Sequence, residues 1–98
     1  HSMYVHCWYE MEFDWDAANV AHIARHGVTP EECEQAYAKG PMVMEHQLRQ
    51  GERRMLCLGE TSEGRLLTFV ITQRRGKIRV VTAHPMHPKQ REIYRGEQ

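Results

Sequence analysis

Between Phe13 and Glu32 the chain carries two helix starts and one hard helix stop, and this punctuation limits the possible folds more than any other stretch. Asp14 or Asp16 can accept from the free amides of a first helical turn. Trp15, Val20, Ile23 and Ala24 then recur at roughly helical spacing. His26 falls where a cation suits the carbonyl end of a helix, and Gly27 supplies the left-handed residue that ends it. Thr29-Pro30-Glu31-Glu32 is a capping box with proline at the first helical position, the cap alone being worth about 1 kcal/mol. Cys33, Ala36 and Tyr37 make the apolar stripe of the second helix, and Gly40-Pro41 stops it. The spacing predicts helices over Asp16 to His26 and Pro30 to Lys39.

Strands follow from alternation. Val5, Cys7, Tyr9, Met11 and Phe13 alternate with Tyr4, His6, Trp8, Glu10 and Glu12, the period of a strand. Met42 to Leu48, Arg53 to Gly59, Arg65 to Gln73 and Lys77 to Ala83 read as four more, separated by Gln50-Gly51, by residues 60–64 and by Arg74-Arg75-Gly76-Lys77. Arg65 to Gln73 is the most apolar and is expected at the centre, with Leu67, Phe69 and Ile71 in the core. In the last strand Ile78, Val80 and Thr82 should oppose Arg79, Val81 and Ala83. Pro88 opens a last short helix, Lys89 to Arg95. The expected order is β-α-α-β-β-β-β-α, an α+β class with an antiparallel sheet, two helices over one face and the other face partly open.

At 98 residues the chain is expected to form a single domain over 1–98 with one modest core. His1-Ser2 ahead of Met3 reads as the scar of a cleaved tag. No apolar run is long enough for a bilayer and no signal peptide is visible, so the expected compartment is the cytoplasm. Cys7, Cys33 and Cys57 fit no zinc spacing and fall on apolar positions, which suits buried free thiols. Equal numbers of acidic and basic side chains hide an asymmetry. Residues 1–48 hold two basic and eight acidic residues (2 − 8 = −6), and residues 49–98 hold eleven basic and five acidic (11 − 5 = +6). A basic surface from the second half suits RNA or an acidic protein, and equally it can solvate strand edges and pair with the acidic half.

Phe13-Asp14-Trp15-Asp16 with Asn19, His22, His26-Gly27-Val28 and Glu31-Glu32, followed by Val81-Thr82-Ala83-His84-Pro85-Met86, Arg91 and Tyr94, resembles the BrnT family from Met11 to Tyr94. That family is the toxin half of a type II toxin–antitoxin pair. The resemblance implies a RelE-like fold and metal-free ribonuclease activity that inhibits translation. It also implies neutralisation by a ribbon-helix-helix antitoxin encoded beside the toxin, in a hetero-oligomer that reaches operator DNA only through the antitoxin. No cofactor, metal or membrane is expected. The family usually carries arginine where this chain has His84, and commonly glutamate where it has Gln90. Both positions belong to the region that would handle the scissile phosphate. The alternative reading is therefore a catalytically weak toxin-like module that only binds its antitoxin.

Cleaving RNA through its own 2′-hydroxyl needs a base, cations for the phosphorane charge and an acid for the 5′-oxygen. Arg79, His84, Arg91 and Tyr94 are the candidates. Arg91 and Tyr94 share a helix face, Arg79 and Ala83 share a strand face, and His84 lies just past the strand end. Histidine titrates near neutrality and can serve as base, acid or, while protonated, phosphate ligand. Arg79 as an exposed sheet residue and Tyr94 as helix packing are the structural readings. Arg53, Arg54, Arg65, Arg74 and Arg75 can extend a phosphate track, and arginine at strand edges also guards against edge pairing. His22 and His26 are spaced i, i+4 but lack the glutamate of a zinc protease motif and any obvious third ligand. They read as a packed or partner-facing residue and a helix-end residue.

Overall fold

A computed structural model describes residues 11–96. Three helices, α1 (Ala17–Ala24), α2 (Pro30–Ala38) and α3 (Pro88–Gly96), accompany four strands, β1 (Met42–Arg49), β2 (Glu52–Glu60), β3 (Leu66–Arg74) and β4 (Lys77–Pro85). The strands form one antiparallel sheet in the order β1-β2-β3-β4. The α+β class and the order of these elements are as expected. Most of the expected first strand, through residue 10, lies outside the described residues. Its end does pair: Phe13 bridges Ile78 in parallel, and the Asp14 amide donates to the Ile78 carbonyl at 2.7 Å.

Both helix starts are built as their sequences dictate. The Asp16 carboxylate accepts from the Asn19 amide at 2.9 Å, while Asn19 Oδ1 accepts from the Asp16 amide at 2.8 Å. Thr29 and Glu32 exchange the same pair of bonds at 3.2 and 3.1 Å. The first helix ends two residues sooner than expected, at Ala24. The His26 and Gly27 amides reach back only three residues, to Ile23 and Ala24, which tightens the last turn before Gly27 enters the left-handed region at φ +73°.

Leu67, Phe69 and Ile71 of β3 are fully buried, as expected of a central strand. They pack with Cys57, Ile78, Val80 and Ala83 from neighbouring strands and Ile23, Val28, Cys33 and Ala36 from the two N-terminal helices. Each large apolar side chain buried here is worth roughly 1.5–3 kcal/mol. Gly59 lets α2 approach closely, since a Cβ there would stand 3.3 Å from the Ala36 carbonyl oxygen. Cys33 and Cys57 are free and buried, and burial pushes both thiols up to about 12. Cys7 lies outside the described residues.

The expected alternation in the last strand fails at one residue. The register steps from Ile71↔Val80 to Val70↔Thr82, so Val81 is an extra residue, a β-bulge. Beyond it the faces exchange, and Ala83 joins Ile78 and Val80 in the core rather than Arg79 and Val81 opposite them. The outer edge of β4 is covered, with Asn19 Nδ2 donating to the Val80 carbonyl at 3.2 Å. The outer edge of β1 has no strand beside it among the described residues. Val43, Met44 and Leu48, the exposed large hydrophobics of the described residues, all lie on that strand, Leu48 at 70% exposure.

Candidate active site

Pro85 ends β4 and Pro88 opens α3, so the chain turns sharply within a few residues of His84. His84 lies opposite Thr68 in the register. Thr68 stands between Leu67 and Phe69 and so faces away from the core helices. Its hydroxyl donates to Gln90 Oε1 at 2.7 Å. The same oxygen accepts from the His87 amide at 2.9 Å, one half of a capping box. Gln90 thus fixes the start of α3 on the second face of the sheet. Arg91 Nη1 donates to the Met86 carbonyl at 2.8 Å, and the Tyr94 hydroxyl donates to Glu60 Oε1 at 3.1 Å. His84 has its Nδ1 2.8 Å from the Pro85 carbonyl. A carbonyl can only accept, so Nδ1 carries the hydrogen, and Nε2 makes no hydrogen bond among the described residues.

Two histidines of α1 and its following turn reach the same end of the sheet. His22 Nε2 lies 3.2 Å from Thr82 Oγ1. The ring centroids of His22 and His26 are 5.9 Å apart, His26 and His84 6.2 Å, and His84 and His87 4.7 Å with nearly parallel planes. Arg65 pins the turn after α1. Its Nη1 donates to the Gly27 carbonyl at 2.8 Å and to both Glu32 oxygens at 2.9 Å. Burial acts to raise the Glu32 carboxyl, but the bonds from Arg65 and Thr29 outweigh it and hold the group below its ordinary value. The sequence reads His22 as a packed or partner-facing residue and His26 as a helix-end residue. Their i, i+4 spacing was visible, whereas their approach to His84 depends on α1 packing along β4.

The other candidates are dispersed. Arg79 lies five positions before His84 on β4, roughly 16 Å back along the strand. It is held by Asp16 at 2.9 Å and Asp14 at 3.6 Å, with its side chain only 13% exposed. The bond from the Asn19 amide is the largest influence on the Asp16 carboxyl; burial opposes it, and with the added pull of Arg79 the group stays below its usual value. Arg53, Arg54, Arg74 and Arg75 gather at the opposite end of the sheet, where the β1–β2 and β3–β4 turns lie side by side. Arg54 donates to Glu52 at 3.0 Å. Arg53 is exposed and borders a groove lined by Gln50, Gly51, Glu52, Thr72 and Gln73. Arg74 and Arg75 are exposed and make no ion pair among the described residues. The structure therefore brings His84, Arg91 and Tyr94 to one end with Arg65, and sets Arg79 and the remaining arginines apart.

Among the described residues no three His, Cys, Asp or Glu side chains converge as metal ligands, and no helix is long and apolar enough to cross a membrane. The family model described as ribonuclease toxin, BrnT, of type II toxin–antitoxin systems matches residues 15–90. No curated protein matches the chain.

Proposed function

The chain belongs to the BrnT family of type II ribonuclease toxins, and we propose that it cuts RNA where β4 meets α3, without a metal, by attack of the RNA's own 2′-hydroxyl. The observation that carries this reading is the open Nε2 of His84, set by the bond of its Nδ1 to the Pro85 carbonyl. That nitrogen is the base for the 2′-hydroxyl. Arg91, fastened to Met86 through one nitrogen, keeps further N–H donors for the phosphate charge. Tyr94, on the next turn of α3 with its hydroxyl on Glu60, is the further candidate at this end. Arg79 is a positioning residue here: it ties residues 14–16 to β4 ahead of α1. The far-end arginines Arg53, Arg54, Arg74 and Arg75 track the RNA backbone, and Arg65 holds the His26 turn.

The partner is a ribbon-helix-helix antitoxin that covers the positive second half of the chain. Operator DNA is bound through that antitoxin, and the pair is a cytoplasmic hetero-oligomer. One observation favours a second reading, a module that binds the antitoxin and no longer cuts. Gln90, standing where the family commonly has glutamate, spends its oxygen on Thr68 and the His87 amide. Cleavage of a defined RNA in the presence of a chelator, from mildly acid to alkaline pH, separates the two. His84→Ala should cut at least 100-fold more slowly than wild type, the usual scale of a lost proton-transfer group being about 10²–10⁴. Equal cutting by His84→Ala at every pH would remove His84 from the chemistry. Cutting by His84→Arg alone would establish the binding module for the natural chain.

A further inference from the structure

The row of imidazoles runs past His84 to residues that the proposed site does not use. His22, His26, His84 and His87 are four of the chain's seven histidines, and they come from α1 and its turn, the end of β4 and the residue before α3. The row exists only in the folded chain. His26 is exposed, so core packing does not account for its place. It is instead placed from behind: Arg65 grips the adjacent Gly27 carbonyl, and His22, itself against Thr82, meets its ring edge to face.

We propose that His26 is the second proton-transfer residue of this site, the general acid for the leaving 5′-oxygen opposite His84 as base. The proposal rests on the reading that the chain cuts RNA. His84 Nε2 takes the proton of the 2′-hydroxyl, and O2′ forms a bond to phosphorus. The P–O5′ bond breaks, its electron pair goes to O5′, and the His26 imidazolium gives its proton to that oxygen. The products are a 2′,3′-cyclic phosphate and a 5′-hydroxyl end. The two histidines finish with exchanged protonation states, which solvent resets, and nothing is oxidised or reduced.

Geometry selects His26 from the row. In-line displacement puts O2′ and O5′ on opposite sides of phosphorus, and each needs a nitrogen within roughly 3 Å. The two rings must therefore straddle the phosphoryl group. His26 and His84, at 6.2 Å and 68° between planes, stand edge to face, so the rims of the two rings can address one phosphoryl group from different directions. His84 and His87 are stacked at 4.7 Å and 25°, which turns their rims the same way rather than to opposite sides of a phosphorus. His22 is one ring further away and engaged with Thr82. The charged and titratable groups around His26 are His22 and Arg25 from its own helix and its cap, His84 from β4, and Arg65 with Glu32 of α2 beyond it.

The test uses the full chain and two RNAs of one sequence, one with an ordinary scissile phosphate and one with a bridging 5′-sulfur, whose thiolate leaves without a proton. His26→Ala and His26→Asn should cut the ordinary RNA at least 100-fold more slowly than wild type and the sulfur RNA within a few-fold of it. His84→Ala should be slow on both. On the ordinary RNA the wild-type pH profile should be bell-shaped, and the His26 variants should lose its alkaline fall. Thermal melting of both His26 variants at the wild-type temperature excludes unfolding as the cause. Equal loss on both RNAs would overturn the acid role. Wild-type rates from the His26 variants, with His84→Ala inactive, would overturn it and leave the cleavage reading standing. A wild type that cuts neither RNA would overturn the cleavage reading itself, and this inference with it.

Discussion

Glu32 accepts from the Thr29 amide at the start of α2 and from Arg65 at the start of β3, so one carboxylate joins a helix cap to a strand. Its lowered pKa fixes the sign of an acid effect. The unfolded chain binds a proton on this group more readily than the folded chain does. Its contribution is therefore present above the ordinary carboxylate range and is lost as pH falls through the lower, folded value. The side chains are a quarter and more exposed, and water screens the pair, so its worth is about 1 kcal/mol or less. Glu32→Gln should lower the melting temperature by a few degrees at pH 7 and flatten the fall in stability between roughly pH 5 and pH 3. A melt series over that range checks it, and parallel curves for the two proteins would remove Glu32 from the acid response.

At the scale of elements, α2 lies close on β2 at Gly59. A methyl at position 59 would meet the Ala36 carbonyl oxygen and the Phe69 ring at 3.3 Å, and backbone does not yield as a flexible side chain would. Gly59→Ala should therefore cost about 1–3 kcal/mol as α2 is pushed off the sheet. Denaturant titration measures it, and a neutral or stabilising result would show that the joint has slack. The caps and stops of α1 and α2 were legible in sequence because each is completed within four residues. The Val81 bulge was not, because alternation presumes one partner per residue and a single insertion between Val80 and Thr82 leaves no local mark. It decides which face Ala83 takes, and the residues after it inherit that change. The meeting of His26 with His84 was hidden for a similar reason, since 58 positions of chain separate them and only the packing of α1 along β4 joins them.

At the scale of the whole molecule, the two sheet edges are treated differently. The β4 edge is closed by residues 12–14 and α1, whereas among the described residues no strand lies against the outer edge of β1, which exposes Val43, Met44 and Leu48. Such an edge is a template for another strand. The isolated chain should self-associate with rising concentration, and Leu48→Lys should reduce this without changing the melting temperature. Sedimentation velocity across a concentration series reads both proteins, and identical behaviour would acquit β1.

The clasp of Asp14 and Asp16 on Arg79 also bears on synthesis. Both acidic residues leave the ribosome early, and their partner is translated more than sixty residues later, followed by His84 and all of α3. At about 5–20 residues per second that is a delay of several seconds, during which α1 has no β4 to lie against. A chain broken off between His26 and Lys77 contains His22 and His26 but neither His84 nor Arg91. On the proposed reading, such prematurely terminated copies have no assembled cutting end. On that reading a copy gains the means to cut RNA only once α3 has been translated.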